Sequence, residues 1–307
     1  MTRFALAMAF LASTLVSAQS PNKNPNKNQP PILGPHLTRE ESAKQIAKPQ
    51  AHKRGDLLYH NGVILPSVTT QAIYWGTSWG TYTGDKISGL DKWYSYLGTV
   101  SGGAGSSYEA TVNEYTDKAK ERVSSSVTYG GHIVDATALP KNLTSSAILA
   151  EVCKVSPSPA ANGYYPVYVD RKRGAAGYCA YHSWGACGST PVEFGFFFNL
   201  DGDGGCDPKS TVSGESQGLA AIANVSGHEL SETRSDPKGN AWYSLTGNEN
   251  GDNCAWTFGG PDGTNWKMQG EWSDAANDGT SPNGPGYTTS LGTGCVDGTN
   301  YKGPYTQ

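Results

Sequence analysis

Charge is scarce in this chain. Of its 307 residues only 16% are Asp, Glu, Lys or Arg, and the formal net charge is −4. The basic residues crowd towards the start: residues 19–60 hold seven Lys or Arg against three Asp or Glu, so the remainder is acidic. That balance argues against a nucleic-acid partner, whose phosphates call for a basic face. Long apolar runs are lacking too. Past the first 18 residues no segment approaches the roughly 20 apolar residues of a membrane helix, so no membrane partner is expected. The six cysteines include no Cys-x-x-Cys pair, which argues against zinc held by thiolates. No stretch repeats itself, so a solenoid or propeller is not expected.

What is present points to export. Residues 1–18 read as a signal peptide: Arg3, then an apolar run from Phe4 to Ala12, then Val16-Ser17-Ala18 as a small-residue cleavage site. Cys153, Cys179, Cys187, Cys206, Cys254 and Cys295 all follow it, an even number suited to disulfides in an oxidising compartment. Short loops favour Cys179 with Cys187, and C-terminal position favours Cys254 with Cys295. Sequons at Asn142 and Asn224 fit a secreted glycoprotein, although Asn224 falls in a stretch expected to be buried.

Residues 19–54 read as a low-complexity pro-segment or linker. Within them, 19–31 is made of Pro, Asn and Lys and cannot bury a core. Residues 37–47 predict a short helix, with Thr38 as N-cap and Glu41 completing a capping box. The dibasic pair Lys53-Arg54 resembles a secretory processing site, with an uncut linker as the competing reading. His36, His52 and His60, in or beside this tail, are set aside as site residues. The folded domain is then 55–307.

Inside it, 68–75 is β-branched and aromatic and predicts a strand. Residues 87–97 have helical spacing, with Leu90, Trp93, Tyr94 and Leu97 on one side. A weaker strand follows at 125–129, a helix at 145–155, and a strand at 164–170 demoted by Pro166. The nearly continuous apolar run 192–198 is expected at the centre of a sheet. The fold class is α+β, one domain with helices on a mixed or antiparallel sheet.

The chemistry gathers at Gly227-His228-Glu229-Leu230-Ser231-Glu232. These residues end a small-residue apolar run, 218–225, that reads as a buried helix with Ser213 as N-cap and Pro237 as its stop. His228 and Glu232 are four apart and share a face. A His-Glu-x-x-His helix binds zinc through its histidines and uses the Glu as general base. Here Glu232 stands where the second histidine would be, and a carboxylate also ligates zinc. The competing reading, polar decoration on a solvated helix end, sits poorly with the apolar run before it. A second acidic cluster, Asn248-Glu249-Asn250-Gly251-Asp252, follows at a distance that lets it return over the helix.

Other candidates are weighed beside it. His182, between Cys179 and Cys187, is a candidate ligand or transition-state donor, and His132 is a further one. Asp201-Gly202-Asp203 opens like a calcium loop, but Val212 stands where an EF-hand needs Glu, so a plain acidic turn is the better reading. Gly214-Glu215-Ser216-Gln217-Gly218 has the form of a nucleophile elbow. No strand runs into it, however, and His228 lies on the same helix, so Ser216 reads as a helix-start residue.

Two resemblances carry weight. His228-Glu229-Leu230, with Asp236 eight residues after the histidine, is similar to the zinc helix of thermolysin-like gluzincins, and Asn248-Glu249-Asn250-Gly251-Asp252 resembles their Asn-Glu-x-x-x-Asp, one residue shorter. The likeness implies His228, Glu232 and Glu249 as zinc ligands and Glu229 as base. It implies Asp252 as a ligand, or as a group orienting His228. The second resemblance spans most of residues 58–260. Tyr59-His60-Asn61-Gly62, Ile73-Tyr74-Trp75-Gly76, Gly177-Tyr178-Cys179-Ala180-Tyr181-His182, the His228–Glu232 motif, Asn240-Ala241-Trp242-Tyr243 and Gly251-Asp252-Asn253-Cys254 resemble, in order and spacing, the phosphate-induced, Exordium-like secreted proteins. Plant members are extracellular and growth-associated, with no established activity.

The expectation is a secreted, extracellular, disulfide-bonded, zincin-like domain that hydrolyses peptide bonds in a peptide or protein substrate. Zinc is the expected ion and calcium the alternative, with Glu229 and His182 as catalytic groups. The rival is a non-catalytic extracellular or cell-wall protein. In that case the cluster is a structural ion or hydrogen-bond lock, and Trp256, Trp266 and Trp272, if exposed, bind cell-wall glycan.

Overall fold

The computed structural model describes residues 29–46, 55–99, 107–124, 127–209, 214–258, 266–278, 288–289 and 292–296. Its framework is a six-stranded mixed sheet. The strands are β1 (Leu33–Leu37), β3 (Val68–Trp75), β4 (Val127–Asp135), β5 (Gly163–Lys172), β6 (Tyr178–Cys187) and β7 (Thr190–Asn199), in the order β1-β6-β7-β5-β3-β4. The four strands β4, β3, β5 and β7 run parallel, while β6 and β1 are antiparallel to their neighbours. A short strand β2 (Leu58–Tyr59) pairs separately with β8 (Trp242–Tyr243).

Parallel strands are buried on both faces, which explains the apolar run of β7 between β5 and β6. Pro166 sits in a central strand nonetheless. On the β3 side the ladder passes from Tyr164 to Val167, spanning the proline that has no N–H to give. Around the sheet lie α1 (Arg39–Ile46), α2 (Lys86–Thr99), α3 (Ser107–Ala110), α4 (Ser145–Val155) and α5 (Gln217–Ser235). The expected stripe of α2 is buried: Leu90, Trp93, Tyr94 and Leu97 all lie in the main core. Thr144 caps α4, its side chain accepting from Ala147 N.

Helix α5 is buried along nearly its whole length, as its small residues require, and packs on β6, β7 and α2. Its N-cap is Ser216, whose Oγ accepts from Leu219 N. Ser213, the residue expected there, lies outside the described residues. The helix stops at Ser235, with Asp236 and then Pro237 beyond it.

The disulfides are Cys153–Cys187, Cys179–Cys206 and Cys254–Cys295. The last is as expected, and the short-loop pair Cys179–Cys187 is not formed. The reason is β6: Tyr178–Cys187 is an extended strand, so its two ends lie far apart and each cysteine bonds to a different neighbour. Among the described residues no helix is long and apolar enough to cross a membrane.

The largest departure is at the start of the chain. Residues 33–37, inside the segment expected to be a pro-segment or linker, form the outermost strand of the main sheet. The foreseen helix follows as α1, with Thr38 Oγ1 accepting from Glu41 N at 3.3 Å. Leu33 and His36 are buried. His36, set aside with the tail, thus lies in the folded body, because the Leu-Gly-Pro-His-Leu run adds an edge to β6.

Candidate metal centre

Three elements meet at the C-terminal half of α5. The helix supplies His228, Glu229 and Glu232 from one buried face. Strand β6 supplies His182, at mid-strand rather than in a loop. A short helix, α6 (Asn250–Asn253), brings Glu249 as its N-cap and Asp252 at its third position, each accepting from the other's backbone in a capping box. Asn250 Nδ2 donates to Ser231 Oγ at 2.6 Å, and the Cys254–Cys295 bond anchors the far end of α6.

The donor atoms converge. His228 Nε2 lies 3.2 Å from Glu232 Oε1, and His182 Nε2 lies 3.1 Å from Glu249 Oε2 and 3.9 Å from Glu232 Oε2. Asp252 Oδ1 is 4.0 Å from His228 Nε2, and Asp252 N donates to Glu232 Oε1. Two sets fall within ion-holding distance, His182/Glu232/Glu249 and His228/Glu229/Glu232, sharing Glu232. Ligands spaced around a tetrahedral zinc at its usual bond lengths stand about 3.3 Å apart; two contacts here are 3.1–3.2 Å and two are 3.9–4.0 Å. His228 Nε2, Glu229 Oε2, Glu232 Oε2 and His182 Nδ1 are buried with no hydrogen-bond partner. Such orphaned atoms carry a large desolvation cost unless something answers them. The residues therefore fit a divalent cation.

The electrostatics agree. Burial raises Glu229, Glu232 and Glu249 well above the usual carboxylate range, and the neighbouring carboxylates add to the shift. Burial lifts Asp252 to about 6. Burial also lowers His182 to about 4 and holds His228 well below its ordinary value, so both imidazoles are neutral and offer lone pairs. A set of buried carboxylates and neutral imidazoles lacks positive charge, which a bound cation supplies.

The structure adds two residues that the sequence reading passed over. The Gln269 side-chain amide lies 2.8 Å from His228 Nδ1, 3.1 Å from the Gly251 carbonyl and 2.9 Å from His36 Nε2. It thereby fixes the orientation of the ring. His36 stacks obliquely on His228 with 4.3 Å between centroids, and its backbone N donates to Glu229 Oε1 at 3.3 Å. Gln269 lies in a turn-rich stretch with no local signal. The signal for His36 was an apolar pentapeptide hidden beside a low-complexity tail.

Other candidates separate from the centre. His132 is half-exposed and pairs with Asp91 at the far edge of the sheet. Asp203 is held by Arg173 and Asp201 by Lys86, so this acidic turn is neutralised by side chains. Ser216 bonds Asp85 and caps α5, with no histidine beside it. Trp272 is buried, and Trp256 is engaged by Leu37, His36 and Arg39. The chain matches no known family model, no curated protein and no solved structure.

Proposed function

We propose that this chain is a secreted, zinc-dependent hydrolase of peptide bonds, a zincin-like domain in which a buried helix carries the ligand pair beneath a mixed sheet. We place it with the phosphate-induced, Exordium-like proteins that its motifs resemble. His228 Nε2, Glu232 and Glu249 hold the ion, with His182 Nε2 as the adjacent nitrogen donor. One observation carries the reading: nitrogen and oxygen atoms of these residues converge at 3.1–3.9 Å in a buried site where His228 Nε2 and Glu232 Oε2 have no hydrogen-bond partner. Zinc, when bound in such a site, polarises a carbonyl and lowers the pKa of water.

The chain's own groups do the rest. Glu229 has one oxygen free of partners, Oε2, and takes the proton of the attacking water there before passing it to the leaving amine. A cation beside it favours the carboxylate that a base must be. His182 either completes the shell or steadies charge on the carbonyl oxygen. Asp252 and Gln269 position Glu232 and His228. Three disulfides and the exposed sequon at Asn142 support an extracellular setting. The test is Glu229→Gln: hydrolysis of a denatured-protein substrate should vanish while bound zinc stays. Unchanged activity removes Glu229 from the chemistry.

A further inference from the structure

Strand β1 is a poor strand by its own composition. Leu33-Gly34-Pro35-His36-Leu37 holds a glycine and a proline, and its ladder with β6 breaks register on both sides of His36. Gly34 has φ +41°, a left-handed conformation that favours glycine, and Pro35 has no N–H. The strand is held instead by side chains of the domain that grip its main chain. Ser145 Oγ donates to the Pro30 carbonyl and Ser183 Oγ to the Pro31 carbonyl, both at 2.6 Å. Trp256 Nε1 donates to the Leu37 carbonyl at 2.9 Å, and Glu229 Oε1 accepts from His36 N. Main-chain reading at a sheet edge is how proteins bind extended peptides.

The strand crosses the centre at Gly34. A Cβ added there would fall inside the Glu232 carboxylate and against the His182 ring. Leu33, one residue earlier, is buried beside Gly239. Side-chain selection thus falls on an apolar residue followed by glycine, with the buried His36 two residues further on. The bond after Gly34 is a tertiary amide to Pro35, and one oxygen of the candidate base, Glu229 Oε1, is taken by His36 N.

We propose that the outer edge of β6 is a binding slot for an extended peptide carrying an apolar residue and then glycine, and that residues 29–46 are its built-in occupant. Cutting between α1 and Gly55 frees the slot. The sequence offers Lys53-Arg54 there. A dibasic-specific secretory protease hydrolyses one peptide bond, with water adding hydroxyl to the carbonyl and a proton to the amine. The cut turns an intramolecular contact, with an effective concentration of about millimolar, into a bimolecular one that dilution reverses. The binding claim stands on its own, and the fate of the bound peptide rests on the hydrolase reading above.

The test uses the full chain, folded and purified with a site-specific protease sequence in place of residues 48–54, and then cut. A fluorescent synthetic peptide of residues 29–46 is followed by anisotropy at nanomolar protein. The uncut chain should take up none. The cut chain should take it up saturably, and the Gly34→Leu peptide should bind on the order of 10- to 100-fold more weakly. No uptake after cutting, loss of near-ultraviolet circular dichroism on cutting, or equal binding of the Gly34→Leu peptide overturns the slot. Glycine-dependent uptake without hydrolysis of any peptide supports the slot and sinks the hydrolase reading. Equal hydrolysis by cut and uncut chains does the reverse.

Discussion

Gly251→Ala is a one-carbon change that replaces no proposed ligand, yet it should damage the centre. Gly251 lies in α6, and its φ is not in the left-handed region. Alanine there would ordinarily gain roughly 0.5–1 kcal/mol over glycine. The added Cβ, however, would stand 2.6 Å from His228 Nδ1, 2.9 Å from its Cε1 and 3.0 Å from Glu232 Oε1. Carbon contacts settle at about 3.5–4.0 Å, so something must yield by about 1 Å. His228 is fully buried, with Gln269 and His36 behind it, and has no free side to move into. Overpacking of this kind costs about 1–3 kcal/mol, which outweighs the helix gain. We expect a net loss of about 1–2 kcal/mol, or roughly 2–8 °C in Tm for a domain of this size. A ligand displaced by about 1 Å also costs on the order of 100-fold in rate. Urea denaturation, zinc titration and hydrolysis should all fall together. Gly130→Ala, whose Cβ would meet nothing nearer than 3.5 Å, is the control and should be close to neutral. A Gly251→Ala protein with wild-type stability and zinc affinity would refute the placement of α6 against His228.

Three further outcomes follow from the same structure. Burial, then the Asp274 charge, raises Glu114 from 4.5 to about 8, so the fold holds a proton that the unfolded chain has lost over that window. Stability should therefore fall as pH rises from about 4.5 to 8, and Glu114→Gln should flatten the slope in denaturation measured across that range. Replacing Cys179 and Cys206 with alanine opens a loop of sequence separation 27 and should cost about 3–4 kcal/mol by chemical denaturation, while peptide mapping should find no Cys179–Cys187 link in the parent. Asn142 is exposed and Asn224 is buried, with its Oδ1 accepting from Gln269 N. Glycosidase treatment of secreted protein should accordingly remove one glycan, which Asn142→Gln abolishes.

Much of the fold was legible because it follows local rules. Val68–Trp75 and Thr190–Asn199 are β-branched or aromatic runs. Lys86–Thr99 and Ser145–Val155 show a 3.6-residue period, and α5 announces itself by small apolar residues. The candidate centre was legible in part, since His228, Glu229 and Glu232 are set by helical spacing alone. What escaped was long-range. β6 shows no two-residue alternation and has glycine and serine among its residues, so its character as a strand comes from β7 and β1 on either side. The cysteine pairing followed from that strand. His36 and Gln269 reach the centre from positions 192 residues before and 41 after His228, and neither spacing nor composition signals it. Gly251, too, gains its importance only when α6 folds back onto α5.

The central claim is that these buried atoms hold one zinc ion. Its most direct test is elemental mass spectrometry of the purified secreted protein beside His228→Ala, with folding of both checked by circular dichroism. The account predicts close to one zinc per chain in the parent and a loss of most of it in the folded variant. A folded parent carrying no zinc, or a variant that retains it, would contradict the account and return the cluster to a structural lock.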